Sequence, residues 1–294
     1  MTQFNFSRSF DDKMIEQLET NSLYKNCIKE DLIRNVVFPA IRNNSMGFYY
    51  KGGRPFEFDK SGFKTNRKYL SLFKNKGDYL LESDLKELKE IKRNFEDQYK
   101  DIKENCAKYA GVEGEGVSYL YSKYSYVSSK SPVVVLDIEV AFAKEKSGPE
   151  NGNDKARSNR IDILLYNKTE RFLKFVEAKH FSNSEIWSKA GHSPKVVNQI
   201  KRYNKDINEN KEAILEKYNK YIISCNTLFN LTMDEPQDIV DDCGLYIFGF
   251  DRDQLQGRFN KLLKNDNSLK GIDYYARGNP DTITAETLWN RIVL

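Results

Sequence analysis

Histidine is nearly absent from this 294-residue chain, occurring only twice, and its four cysteines, Cys27, Cys106, Cys225 and Cys243, form no CxxC pair. A zinc site draws on clustered His and Cys, so none is expected. Thiols scattered along a chain of this length read as reduced, which excludes a disulfide framework. There is no G-x-x-x-x-G-K-[ST] loop. The glycine-rich run Gly111-Val-Glu-Gly-Glu-Gly116 lacks the lysine and follows a helical segment, so ATP hydrolysis is not expected. H-E-x-x-H is also missing. No stretch approaches the roughly 20 apolar residues of a membrane span. The opening residues, MTQFNFSRSF, contain no apolar run of signal-peptide length. A soluble, cytoplasmic protein with no membrane partner is the expectation. Charge of one sign is also modest: the formal net charge is +4. That does not demand a nucleic-acid partner, but 47 Lys and Arg concentrated on one face would allow one.

Aromatics, by contrast, are plentiful. Eighteen Tyr and eighteen Phe argue for packed cores despite 31% charged residues. The length suits one large domain or two modest ones.

The pattern predicts helix over residues 10–35, broken near Asn21-Ser22. A hairpin follows, Phe48–Lys51 against Arg54–Phe58 around Gly52-Gly53. Pro55 cannot donate to a ladder, so its strand is expected at a sheet edge. Another strand is expected within Gly62–Phe73. Leu85, Leu88, Ile91, Phe95, Tyr99, Ile102, Cys106 and Tyr109 recur at steps of three or four and predict one helix over about Ser83–Ala110, with Gly111 as C-cap. Three strand-like runs come next, Pro132–Ala143, Arg160–Asn167 and Arg171–Lys179. A polar loop, Lys144–Asn159, separates the first two, and a short turn joins the last two. Ser193-Pro194 offers an N-cap followed by proline at the first helical position. Helix is expected to about Asn208 and on to about Tyr221, then a strand over Leu245–Asp251, then helices over Arg252–Leu263 and Thr284–Val293. Together these predict an α/β fold: a central mixed β-sheet flanked by helices over residues 126–294, preceded by a helical and hairpin module over residues 1–125.

The chemistry is concentrated in Arg160-Ile-Asp162 and Val176-Glu177-Ala-Lys179. Side chains alternate along a strand, so Glu177 and Lys179 share a face at the end of an apolar run. Asp162 lies on the preceding strand across a short turn. Two carboxylates and an ammonium can thus converge. Two carboxylates make a hard oxygen site for Mg2+, with Mn2+ as a substitute, and the ion keeps several waters. Such a site can activate water and offset charge developing on phosphorus, while a lysine stabilises the transition state. Acid-x-Lys alone carries little weight. Asp84-Leu-Lys86, Glu87-Leu-Lys89, Glu90-Ile-Lys92 and Asp101-Ile-Lys103 repeat it in the expected helix, where positions i and i+2 do not face each other.

A strand bearing Asp, a turn, a strand ending Glu-x-Lys and then a helix resembles the PD-(D/E)XK nuclease superfamily, with Ile161 in place of the proline. The resemblance implies a restriction-endonuclease-like core, Asp162 and Glu177 as metal ligands, the Ala178 carbonyl as a third, and Lys179 as catalytic lysine. Gln199-Ile-Lys-Arg-Tyr203 resembles the Q-x-x-x-Y helix motif of exonuclease-like branches, where such residues orient the lysine or contact phosphate. An extra upstream acid is a further feature of the superfamily. Glu139 fits that role and Asp137, two residues earlier on the same expected face, is its alternative. The implied activity is Mg2+-dependent endonuclease-type hydrolysis of DNA in restriction, repair or defence, and a homodimer is compatible with it. A catalytically inactive binding module on the same fold and an RNA nuclease remain as rivals. His180 should point to the opposite strand face and His192 lies in a loop, so both read as bystanders. In the N-terminal module, Lys51, Arg54, Lys64, Arg67 and Lys68 lie among aromatics. They suit phosphate contact, or equally a solvated hairpin whose charges discourage edge pairing.

Overall fold

Aromatics alternating through residues 46–66 build an antiparallel meander. The computed structural model describes residues 7–70, 79–84, 94–142, 160–188, 193–264 and 269–290. The chain forms two units, one of Arg8–Lys130 with Lys220–Met233, the other of Met1–Ser7, Ser131–Asn219 and Asp234–Leu294.

In the first of these units, helices α1 (Asp12–Thr20) and α2 (Lys29–Ile33) precede a five-stranded antiparallel sheet in the order β1 (Phe38–Ile41), β2 (Met46–Tyr50), β3 (Gly53–Asp59), β4 (Gly62–Asn66) and β5 (Tyr79–Leu81). The break between the first helices is where expected, with Asn21 extended as the C-cap of α1. The hairpin forms, but its two-residue turn is Lys51-Gly52, because Tyr50 pairs with Gly53. Both turn residues have positive φ (44° and 81°), as a type I′ turn requires. Contrary to expectation, the Pro55 strand is central, with β2 on one side and β4 on the other. The β2–β3 register shifts between Phe48 and Tyr50, and the proline sits in the stretch of β3 opposite that irregularity. Packed rings fill the core, among them Phe58–Phe63 at 4.9 Å between centroids and Phe56 stacked on Tyr99 at 5.5 Å. Such pairs contribute about 0.5–1.5 kcal/mol each beyond area burial.

The single helix expected over Ser83–Ala110 is not found as such. Its residues 85–93 lie outside the described part. Residues 95–98 form a turn in which Asn94 accepts the Asp97 N–H at 2.8 Å, a local bond that competes with helix. Helix α3 spans Tyr99–Ala107. Gly111 does not end this helix but starts another, α4 (Val112–Lys123), as its extended N-cap (φ −78°, ψ 159°). Glycines at 114 and 116 lower helix propensity and hid α4 from the pattern. They have a use: a Cβ on Gly52 would lie 2.4 Å from the Gly114 carbonyl carbon, so the hairpin tip packs directly on the first turn of α4.

The other unit is built on a six-stranded mixed sheet in the order β11 (Tyr274–Arg277), β10 (Gly244–Phe248), β8 (Phe172–His180), β7 (Arg160–Asn167) and β6 (Val133–Ala141), with β9 (Asp238–Ile239) also pairing with β8. Strands β6, β7 and β8 are antiparallel neighbours, whereas β8, β10 and β11 run parallel. Antiparallel neighbours need only a short turn. In the β7–β8 turn, the Asn167 side chain accepts the N–H groups of Thr169 and Glu170. Parallel neighbours need a crossover. That crossover runs through α5 (Lys195–Glu209) and α6 (Lys211–Phe229), whose residues from Lys220 onward belong with the first unit described. Pro194 is the N-cap of α5 and not its first helical residue, and α6 continues to Phe229. The helix expected from Arg252 is interrupted at Gly257 (φ −90°, ψ −123°). No helix among the described residues is long and apolar enough to cross a membrane.

Strand β8 is buried on both faces. Alternation sends Leu173, Phe175, Glu177 and Lys179 to one side and Lys174, Val176, Ala178 and His180 to the other. Phe175 meets Tyr218 of α6, which places Glu177 and Lys179 beneath the crossover helices. The buried Lys174 ammonium on the opposite face donates to the Trp289 carbonyl at 3.1 Å.

Candidate active site

Strands β7 and β8 pair as far as Ile163 opposite Val176. Beyond that point the side chains of Asp162 and Glu177 take over. Asp162 Oδ2 accepts the Ala178 backbone N–H at 2.8 Å, tying the strands together where the ladder ends. Glu177, only 1% exposed, has Oε1 at 2.8 Å from Lys179 Nζ and accepts from Gln199 Nε2 at 2.8 Å. Lys179, 6% exposed, also reaches Glu185 Oε2 at 3.1 Å. A buried ammonium is tolerable here because two carboxylates compensate it.

Helix α5 closes the site. Gln199 and Tyr203, at i and i+4, stack on one helical face. Gln199 Nε2 donates to Tyr203 Oη at 2.7 Å, and Tyr203 donates in turn to the Arg160 carbonyl at 2.8 Å. This chain of bonds runs from β7 through α5 to the Glu177 carboxylate. Burial, with the charge of Glu177 beside it, pushes the Tyr203 pKa far up, so the phenol stays a neutral donor. The same two causes raise the neighbouring Cys243 thiol.

These groups open onto a cleft of about 470 Å³. Asp162, Glu177, Lys179, Gln199 and Tyr203 all line it. Ala178 does not; it is fully buried and contributes its N–H to Asp162. Glu139 does not line the cleft either. Its carboxylate pairs with Arg160, a lining residue, at 3.5 Å. The β6–β7 register runs unbroken from Asp137, opposite Leu164, to Val140, opposite Ile161, and within it Glu139 adopts φ 48°. Asp137 is completely buried, accepting the Tyr218 hydroxyl at 3.0 Å and its neighbour's N–H, Ile138, at 2.8 Å. His180 lies away from the cleft with Nδ1 against the Ser182 hydroxyl, and His192 lies outside the described residues.

Five further residues that no motif marks also line the cleft: Arg160, Glu185, Lys195, Asn198 and Arg202. Helical spacing from Gln199 would have found three of them, since residues 195, 198, 199 and 202 fall on one face. Arg160 lies two positions before Asp162 and shares its side of the strand. Glu185 arrives through the loop after β8, and no sequence pattern marks it.

Among the described residues, no group of three or more His, Cys, Asp or Glu side chains is placed to hold a metal ion. The donors in the cleft are nevertheless all hard oxygens, the carboxylates of Asp162, Glu177 and Glu185. Such a set fits Mg2+ or Mn2+, which needs few protein ligands and retains waters. It does not fit zinc or copper, which favour nitrogen and sulfur.

The basic hairpin of the N-terminal module has acidic neighbours. Arg54 pairs with Glu57 at 2.9 Å, and Lys64 pairs with Glu57 at 3.0 Å and Asp59 at 2.8 Å. Lys51 lies 3.8 Å from Glu104, and the tip N–H of Gly52 donates to Tyr121 at 2.8 Å. These cations are compensated within their own unit. Lys103 of the acid-x-Lys copy at Asp101 pairs with Asp31 and is structural.

No family model, curated protein or solved structure matches this chain.

Proposed function

We propose that this protein is a Mg2+-dependent nuclease, most simply a deoxyribonuclease, with Asp162, Glu177 and Lys179 at its centre. The observation that carries the reading is the convergence of Asp162, Glu177 and Lys179 on one cleft, with Gln199 and Tyr203 braced behind them. The succession of strand, turn, strand and crossover helix agrees with a restriction-endonuclease-like core of the PD-(D/E)XK type.

Asp162 and Glu177 would hold the ion. When bound, it supplies a water of lowered pKa and offsets charge on the phosphoryl oxygens. Lys179, held between two carboxylates, would stabilise the negative charge that builds on phosphorus. Gln199 keeps Glu177 from rotating, and Tyr203 keeps Gln199 in place. Holding these groups before substrate arrives spares reorganisation during the reaction.

The test is a cleavage panel. Purified protein is incubated with supercoiled, linear and single-stranded DNA and with RNA, in Mg2+, Mn2+ or EDTA. The reading expects cleavage of DNA in Mg2+ or Mn2+, abolished by EDTA and reduced on the order of 10²–10³-fold by Lys179→Ala. Binding without cleavage under every metal condition would leave a non-catalytic module on this fold. Preferential cleavage of RNA would correct the substrate.

A further inference from the structure

The cleft-facing side of α5 carries Lys195, Asn198, Gln199 and Arg202, spaced i, i+3, i+4 and i+7. Gln199 touches the carboxylate centre through Glu177. Lys195 lies one turn before that contact and Arg202 one turn after it. At 1.5 Å rise per residue they are separated by about 10.5 Å along the helix axis. That is the span of roughly three nucleotide steps along one strand of a B-form duplex.

The cations of the cleft fall into two groups. Lys179 is tied to Glu177 and Glu185, and Arg160 to Glu139. Lys195 and Arg202 are exposed, and among the described residues neither forms an ion pair. An exposed cation without a protein carboxylate is free to exchange its counterions for a phosphate. Their placement brackets the reactive centre and does not coincide with it.

We infer that Lys195 and Arg202 form a two-point phosphate track. One polynucleotide strand lies along α5 with an interior phosphate at Asp162, Glu177 and Lys179, and with phosphates on either side of it at Lys195 and Arg202. This deepens the nuclease reading and rests on it. It makes the substrate an interior position of a strand with phosphates on both sides, not a mononucleotide or a free phosphate ester. Asn198, between the two cations, adds a neutral donor to the strand's sugar–phosphate edge.

The test is equilibrium binding, which needs no turnover. A fluorescently labelled oligodeoxynucleotide is titrated in Ca2+ over a salt series, using wild type, Lys195→Gln/Arg202→Gln, and the charge-preserving Lys195→Arg/Arg202→Lys. The double Gln variant should weaken binding and flatten log K against log salt by about two units, one per lost contact. The charge-preserving pair should restore most of the slope, and melting temperatures should stay together, since both side chains are exposed. A mononucleotide should compete far more weakly than an unlabelled strand. An unchanged slope and affinity in the double Gln variant, or equal competition by mononucleotide and strand, would overturn the track. A wild-type protein that loses its slope on substitution as expected, yet cuts nothing in Mg2+ or Mn2+, would support the track and remove the nuclease reading.

Discussion

The Asp162 carboxylate accepts the Ala178 backbone N–H at 2.8 Å, just past the last paired residues of β7 and β8. One side chain therefore has two tasks, closing the sheet and offering oxygen to the cleft. Isosteric substitution separates them. Asp162→Asn keeps an acceptor for Ala178 and should leave the urea midpoint nearly unchanged while removing cleavage. Asp162→Ala leaves a buried N–H without its acceptor and should cost about 1–3 kcal/mol, with cleavage lost as well. Urea unfolding beside the cleavage assay checks both, and equal stability of the two variants would refute the structural task.

Lys179 offsets Glu177 and Glu185 at once. Removing it as Lys179→Ala leaves two carboxylates facing each other, one of them buried. Without divalent metal the variant should lose about 3–5 kcal/mol, the usual cost of breaking a buried pair. Added Mn2+ should raise its melting temperature more than that of wild type, because the cation takes over the compensation. Turnover should fall on the order of 10²–10³-fold even with metal bound. A thermal-shift titration that shows no metal-dependent recovery would count against this arrangement.

Tyr203 is fully buried, with its hydroxyl between Gln199 and the Arg160 carbonyl. Tyr203→Phe strands both partners and should destabilise the fold by about 1–3 kcal/mol. Its effect on turnover should be smaller than that of Lys179→Ala, since Tyr203 reaches Glu177 only through Gln199. If Tyr203→Phe retains full stability, the bond chain is not formed in solution.

Alkaline pH should destabilise the protein through its buried phenols. Burial raises Tyr24, Tyr99, Tyr203 and Tyr246 well above the ordinary value of 10.0, and Tyr166 is pushed up to about 12. In the unfolded chain these groups ionise near 10, so above that pH the unfolded state holds fewer protons than the folded one. Stability is then fully present below about pH 10 and declines as pH rises beyond it. Urea midpoints measured from neutral pH upward should be level and then fall. A midpoint that stays flat through pH 11 would contradict the burial of these hydroxyls.

Gly52→Ala tests the hairpin tip. The new Cβ would lie 2.4 Å from the Gly114 backbone, and the site has φ 81°. Strain and clash should cost more than about 2 kcal/mol. Gly62→Ala shares the strained backbone, with φ 97°, but meets nothing within 4 Å, so it should cost less. Chemical denaturation of the two variants checks the order.

Local pattern was enough to mark strands β6, β7 and β8, the α5 helix and the trio Asp162, Glu177 and Lys179, because each depends on alternation, helical spacing or a short turn. The Gln199–Tyr203 stack was also readable, since i and i+4 residues meet on any helix. Tertiary structure decided what depends on partners distant in sequence. Glu185 joins Lys179 only through the path of a loop, and Glu139, which pairs with Arg160, has a positive φ that no residue type announces. Pro55 sits in a central strand opposite an irregularity in its pairing with β2, and Gly111 caps a second helix whose first turn, at Gly114, lies against the hairpin tip. Residue type and spacing determine which groups can share a face; only the packing of one element on another determines what that face meets.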